Sequence, residues 1–136
     1  MSRDVVTLVI PARTEYLIVA RLALAGIARG TPIDEGALAD LKLAVTEACG
    51  NAVRHAQPSE HGVIRVDFDL EDGTIEIRVE DAGPGIGTLP DDDRDELAES
   101  GMGLAIIRAL VDDFEIRDGD SGRGTVVRMR KRLAAA

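Results

Sequence analysis

Apolar residues recur with two different periods along this chain, and each change of period marks a change of element. VVTLVI at positions 5–10 is rich in β-branched residues and closes at Pro11, which predicts a first strand. From Glu15 to Arg29 the spacing turns helical. Leu17, Ala20, Leu24 and Ile27 form one stripe, with Arg13, Arg21 and Arg29 on other faces. TPID breaks that pattern, and Asp34 or a neighbour caps a second helix running to about His55. Its stripe is Leu38, Leu41, Val45, Ala48 and Ala52. Glu47, Asn51 and His55 follow one another at i, i+4 beside that stripe and make a polar ridge.

The period then falls to two. VIRVDFDL alternates Ile64, Val66, Phe68 and Leu70 with Arg65, Asp67 and Asp69, and TIEIRVED alternates Ile75, Ile77 and Val79 with Glu76, Arg78 and Glu80. Asp72-Gly73 between them is a strong hairpin signal, so this is one antiparallel, half-buried pair. After Asp81 come a glycine loop, DAGPGIG, and an acidic stretch, TLPDDDRDELAES, too poor in apolar residues to pack firmly and read as a mobile flap. A third helix opens at GMG, with Leu104, Ile107, Leu110, Val111 and Phe114 as its amphipathic pattern. FEIRDG and TVVRMRKRL pair as a last hairpin across DGDSGRG. This order fits an α/β two-layer sandwich, a mixed, mostly antiparallel sheet covered on one face by helices.

Composition narrows the function. The 136 residues, 45% of them hydrophobic, suffice for one ordinary core, so one compact domain over residues 1–136 is expected. Only 2% are aromatic and the net charge is -9, which argues against stacking on bases, phosphate-backbone binding and adhesion to an anionic membrane. A polyanionic ligand would need local help from a metal cation, helix N-termini or a few arginines. The single Cys49 cannot form an intramolecular disulfide and suits a reducing cytoplasm as a small buried residue. No charged leader or bilayer-length apolar run is present, so a soluble, cytoplasmic protein is expected.

Four stretches carry candidate chemistry. Glu47 and Asn51 alone read as solvated helix residues, but Gly50 beside them costs the helix about 1 kcal/mol, a penalty that a close ligand, a close backbone or tight helix packing explains. Asp81-Ala82-Gly83-Pro84-Gly85 ends a strand as a turn or a ligand loop, and it lacks dinucleotide spacing. Gly101-Met102-Gly103 stands where a helix begins, as a phosphate-binding turn or a flexible joint. Gly122-Arg123-Gly124-Thr125 is a hairpin turn or part of a binding site.

In this order the four stretches resemble the ATP-binding signature of the GHKL superfamily, the gyrase, heat-shock-90, histidine-kinase and mismatch-repair type ATPases. LAVTEACGNAVRHA, RVEDAGPGIG, ESGMGLAIIRALVDDFEI and GTVVRMRK, covering nearly the whole chain, narrow the resemblance to the bacterial anti-sigma factor serine/threonine kinases, especially the sporulation type. The resemblance implies a homodimer that holds a sigma factor away from RNA polymerase. It also implies use of ATP with Mg²⁺ to phosphorylate a serine or threonine of an anti-anti-sigma protein, in sporulation or stress control. By the same resemblance Asn51 is the magnesium ligand and Glu47 the general base. Asp81 accepts a hydrogen bond from adenine, with Thr125 beside it. Gly83, Gly85 and Ile86 lie along the nucleotide, Gly101, Met102, Gly103 and Leu104 at its phosphates, with Arg54 and His55 as further nucleotide contacts. Arg21 corresponds to a first-helix arginine that touches the sigma factor. Two rivals remain at this point: a nucleotide-binding module that sequesters a partner without phosphorylating it, and a histidine-kinase catalytic domain. The second normally follows a helical dimerisation domain with a phosphoacceptor histidine.

Overall fold

A computed structural model describes residues 3–56, 62–81, 103–119 and 124–133. The first strand, β1, runs Arg3–Pro11, followed by a single 3-10 turn over Thr14–Tyr16 and helix α1, Leu17–Arg29. Helix α2 is Glu35–Ala56, strands β2 and β3 are Val63–Glu71 and Thr74–Asp81, and residues 103–110 form helix α3. Strands β4, Asp113–Asp118, and β5, Thr125–Arg132, complete a five-stranded sheet of order β1-β2-β3-β5-β4, with every neighbouring pair antiparallel. This is the α/β sandwich expected from the periodicities.

The two-residue alternation decides which side of the sheet is buried. Ile64, Val66 and Phe68 pair directly with Ile10, Leu8 and Val6 on one side and with Asp81, Val79 and Ile77 on the other, so they share one face. Val127 and Met129 continue that face across β5. The helices close over it: Leu24 of α1, Leu41, Val45 and Ala48 of α2 and Ile107 of α3 pack with these strand residues into one core. Complete burial of a Phe68 or Leu41 side chain stabilises by roughly 1.5–3 kcal/mol, which makes the apolar pattern the main determinant of which face turns inward.

The opposite face is ionic. Arg78 bonds Glu76 at 2.6 Å, Arg128 reaches Glu76 at 3.1 Å and Asp113 at 2.9 Å, and Arg3 holds Asp69 through two hydrogen bonds of 2.7 and 3.1 Å. Opposite charges across neighbouring strands suit this solvated face and leave no apolar alternative register for the hairpin. The β2–β3 turn is equally decided. Asp72 and Gly73 both take positive φ, 51° and 77°, the type I′ combination whose twist matches the flanking strands.

One element departs from its pattern. The helical reading carried through Val111 and Phe114, but α3 ends at residue 110. The backbone is captured there by β5: Asp112 N–H donates to Arg130 O at 2.9 Å, and the Asp112 carboxylate accepts from Arg132 N–H at 2.8 Å. Lys131 Nζ donates to the Leu110 carbonyl at 2.7 Å, placing a cation at the negative end of the helix. Phe114 is therefore a strand residue packed against the core from β4.

Candidate functional site

At one end of the sheet the buried face changes character. Along β3 the inward positions read Ile75, Ile77, Val79 and then Asp81; along β5 they read Met129 and Val127 back to Thr125. Asp81 and Thr125 are directly paired across the two strands, so the core ends in a polar floor. Asp81 is 5% exposed and Thr125 1%. Gly124, at φ 76°, makes the turn into β5 that a side-chain-bearing residue would strain, and the Gly119 N–H to Gly124 carbonyl bond of 3.2 Å closes the hairpin base behind it.

The last turns of α2 lie over this floor. Asn51 is 3% exposed and His55, four residues on, brings Nδ1 to 3.7 Å from Asp81 Oδ2. Among the described residues three buried side-chain atoms have no hydrogen-bond partner: Asn51 Oδ1, His55 Nδ1 and Thr125 Oγ1. Each belongs to this cluster. A buried, unpaired polar atom costs about 1–3 kcal/mol, so three in one place mark a surface shaped to meet a polar ligand rather than a packing fault.

Glu47, half-buried one turn before Asn51, faces the other half of the site. A Cβ built on Gly103 would stand 3.0 Å from Glu47 Oε2. The glycine therefore admits the carboxylate against the first turn of α3, where backbone N–H groups have no helical partner. Of the three explanations of Gly50, tight packing finds no support among the described residues, since no described atom lies within 4 Å of where its Cβ would be.

Of the other expected residues, Leu104 lies half-buried beside Gly103, and Arg54 is exposed next to the cluster on α2. Arg21 is exposed on α1 and does not join it. Gly83, Gly85, Ile86, Gly101 and Met102, like the acidic stretch 88–100, fall outside the described residues. Cys49 is fully buried and burial pushes its thiol up to about 12, which excludes a thiolate nucleophile at neutral pH. The His55–Asp81 approach was not legible in the sequence, because the pairing of β3 with β5 that sets Asp81's surroundings is non-local.

Two clefts lie at the far end of the sheet, around the Asp72–Gly73 turn. One, of about 590 Å³, is lined by Arg3, Asp69, Glu76, Asp112 and Arg130. Its ionic groups include the Arg3–Asp69 pair, and none of the orphaned buried atoms lies there. The second, of about 650 Å³, includes Gly30, Pro32, Leu70 and Leu133 and likewise none of them.

The model of the family described as Histidine kinase-like ATPase domain matches residues 10–131. The sequence is 34% identical to the serine-protein kinase RsbW of Oceanobacillus iheyensis, over 96% of this chain and 88% of that protein. It is 36% identical to the serine-protein kinase RsbW of Listeria monocytogenes, over 83% of this chain and 79% of that one. Among solved structures, the RsbU and RsbW domains of a Mycobacterium tuberculosis protein superpose with a TM-score of 0.74 at 24% identity, over 98% of this chain and 33% of that one, a likeness of fold. The histidine kinase domain of a blue-light activated kinase from Erythrobacter litoralis superposes with a TM-score of 0.58 at 26% identity, over 91% of this chain and 62% of that one.

Proposed function

Because this chain belongs to the histidine kinase-like ATPase family, we propose that it is an anti-sigma factor which binds ATP and phosphorylates a serine or threonine of an anti-anti-sigma protein. The observation that carries the reading is the grouping of Asn51 Oδ1, Thr125 Oγ1 and the buried Asp81 beside a carboxylate, Glu47, that abuts Gly103. Relatives named serine-protein kinase over most of their length support it.

In this reading Asp81 accepts a hydrogen bond from the adenine amino group and Thr125 Oγ1 lies beside it. The loop of Gly83, Gly85 and Ile86 follows the ribose, and Gly101, Met102, Gly103 and Leu104 meet the phosphates at the positive end of α3. Arg54 adds positive charge at the nucleotide. Asn51 Oδ1, a buried amide oxygen without a partner, fits a hard cation such as Mg²⁺. Among the described residues no three His, Cys, Asp or Glu side chains cluster as a metal site, so the other ligands would be phosphate oxygens and water. Magnesium, when bound, neutralises charge on the transferred group.

Glu47 accepts the proton of the partner's hydroxyl as that oxygen bonds to the γ-phosphorus. The bond from the γ-phosphorus to its bridging oxygen breaks, and ADP leaves with the electron pair. The sigma factor is held through a surface that includes Arg21 and is released on partner exchange. Residues 1–136 act as a single domain within a homodimer, for which β1 is the candidate surface: it is an edge strand with Val5 and Val9 exposed. Action in the cytoplasm follows from the anti-sigma reading itself; among the described residues no helix is long and apolar enough to cross a membrane.

Incubation with MgATP and a candidate anti-anti-sigma protein, read by phosphosite mass spectrometry, tests the proposal. Phosphoserine or phosphothreonine is expected with the wild type. Glu47→Gln should bind ATP normally while transfer falls on the order of 10²–10⁴-fold. Asn51→Ala should lose magnesium-dependent binding and transfer together. A partner left unmodified by the wild type defeats the kinase reading and leaves a sequestering module.

A further inference from the structure

Of the three orphaned atoms, Asn51 Oδ1 and Thr125 Oγ1 have tasks in the proposed nucleotide site, but His55 Nδ1 has none. We infer that His55 is a positioning residue for base recognition: Nδ1–H donates to Asp81 Oδ2 when nucleotide is bound and fixes the carboxylate so that its other oxygen faces the base. The inference rests on the reading of Asp81 as the base acceptor.

The geometry supports it in three ways. Nδ1 and Oδ2 stand 3.7 Å apart, slightly beyond bonding distance, so a shift of under about 1 Å brings them to the 2.7–2.9 Å of a charge-assisted hydrogen bond. Asp81 is buried at 3% exposure and His55 half-buried at 12%, with Nδ1 itself out of reach of solvent that would compete. His55 also lies in the last turn of the helix that carries Asn51 and Glu47, whereas Asp81 ends β3. A bond between them ties the helix bearing the catalytic carboxylate to the strand that recognises the base. Arg54, the basic residue next to it on α2, is exposed and does not substitute for the imidazole.

Recognition of adenine depends on one carboxylate oxygen meeting one amino group, so the orientation of Asp81 matters. Adenine presents a donor at its 6-position and an acceptor at N1, and hypoxanthine the reverse, so the ratio of ATP to ITP affinity reads how well the Asp81 acceptor meets the 6-amino group. A lost hydrogen bond to a charged group changes such a ratio by about tenfold.

Titration calorimetry of the whole chain with MgATP and MgITP tests this. The wild type is expected to prefer ATP. His55→Leu, similar in size but without a donor, should lower the preference about tenfold, chiefly through weaker ATP binding. His55→Asn, whose amide nitrogen approaches the position of Nδ1, should restore most of it. Equal loss of ATP and ITP affinity in His55→Leu, or an unchanged ratio, overturns the inference and leaves the nucleotide site standing. A wild type that binds neither nucleotide, or both equally, overturns the reading of Asp81 itself. Thermal melts of both variants identify a misfolded one, and His55→Asn then decides: an ATP preference as low as that of a donor-free site counts against positioning.

Discussion

Glu47 and Gly103 meet so closely that a methyl group on the glycine would stand 3.0 Å from the Glu47 carboxylate oxygen. The contact joins a residue in the middle of one helix to the opening of another, far apart along the chain. It also sets the room available to the carboxylate, because the side chain has flexible torsions and the facing backbone does not.

Gly103→Ala should therefore separate stability from chemistry. Alanine suits a helix better than glycine by up to ~1 kcal/mol, and only the tip of a mobile side chain must yield, so the melting temperature should hold or rise. Displacing the proposed base by a few tenths of an ångström should lower the transfer rate by about tenfold or more. Thermal denaturation and single-turnover phosphorylation on the same preparation check the pair. An unchanged rate would show that the position of Glu47 does not limit transfer.

Cys49 should be chemically silent while the protein is folded. It is fully buried on the inner side of α2, and a thiol pushed up to about 12 carries almost no thiolate at pH 8. A chromogenic disulfide reagent should release no signal from the native chain and one equivalent in denaturant, since there is one cysteine. Rapid native labelling would mean that the helical layer opens readily.

The Arg3–Asp69 pair should give the ionic face a dependence on acid. The Arg3 guanidinium, by its hydrogen bonds and then its charge, holds the Asp69 carboxyl below the usual carboxylate range. A value depressed in the folded state contributes stability above the unfolded pKa of about 4 and loses it as the pH falls through the folded value. Arg3→Ala should thus be destabilising at pH 7 and progressively less so, relative to wild type, below about pH 4. The effect is small because the guanidinium is largely exposed. Urea denaturation at both pH values measures it, and a difference that grew toward acid would reverse the assignment.

The strands were legible because alternation and turn chemistry agree. Ile64 to Leu70 and Ile75 to Val79 have one register that buries the apolar set, and Asp72-Gly73 closes it. Phe114 misled because a single aromatic fits either period, and the hydrogen bonds between Asp112 and β5 that end α3 are formed by residues distant in the chain. The ridge of Glu47, Asn51 and His55 could be read from helical spacing alone. That Asn51 is buried while Arg54 is exposed could not, since burial depends on what lies across from the helix. Which of the three explanations of Gly50 holds was not legible either: its penalty to the helix is local, but the space around it is set by elements distant in the chain.

The position of β5 has a consequence for how this protein comes into being. It follows every other strand along the chain yet lies between β3 and β4 in the sheet, and it carries Thr125. A nascent chain halted before that strand has left the ribosome already holds Glu47 and Asn51 on α2, but β3 has no neighbour on that side and Asp81 no Thr125 opposite it. The floor formed by Asp81 and Thr125 is thus a late product of synthesis, completed only when the last strand of the sheet is in place.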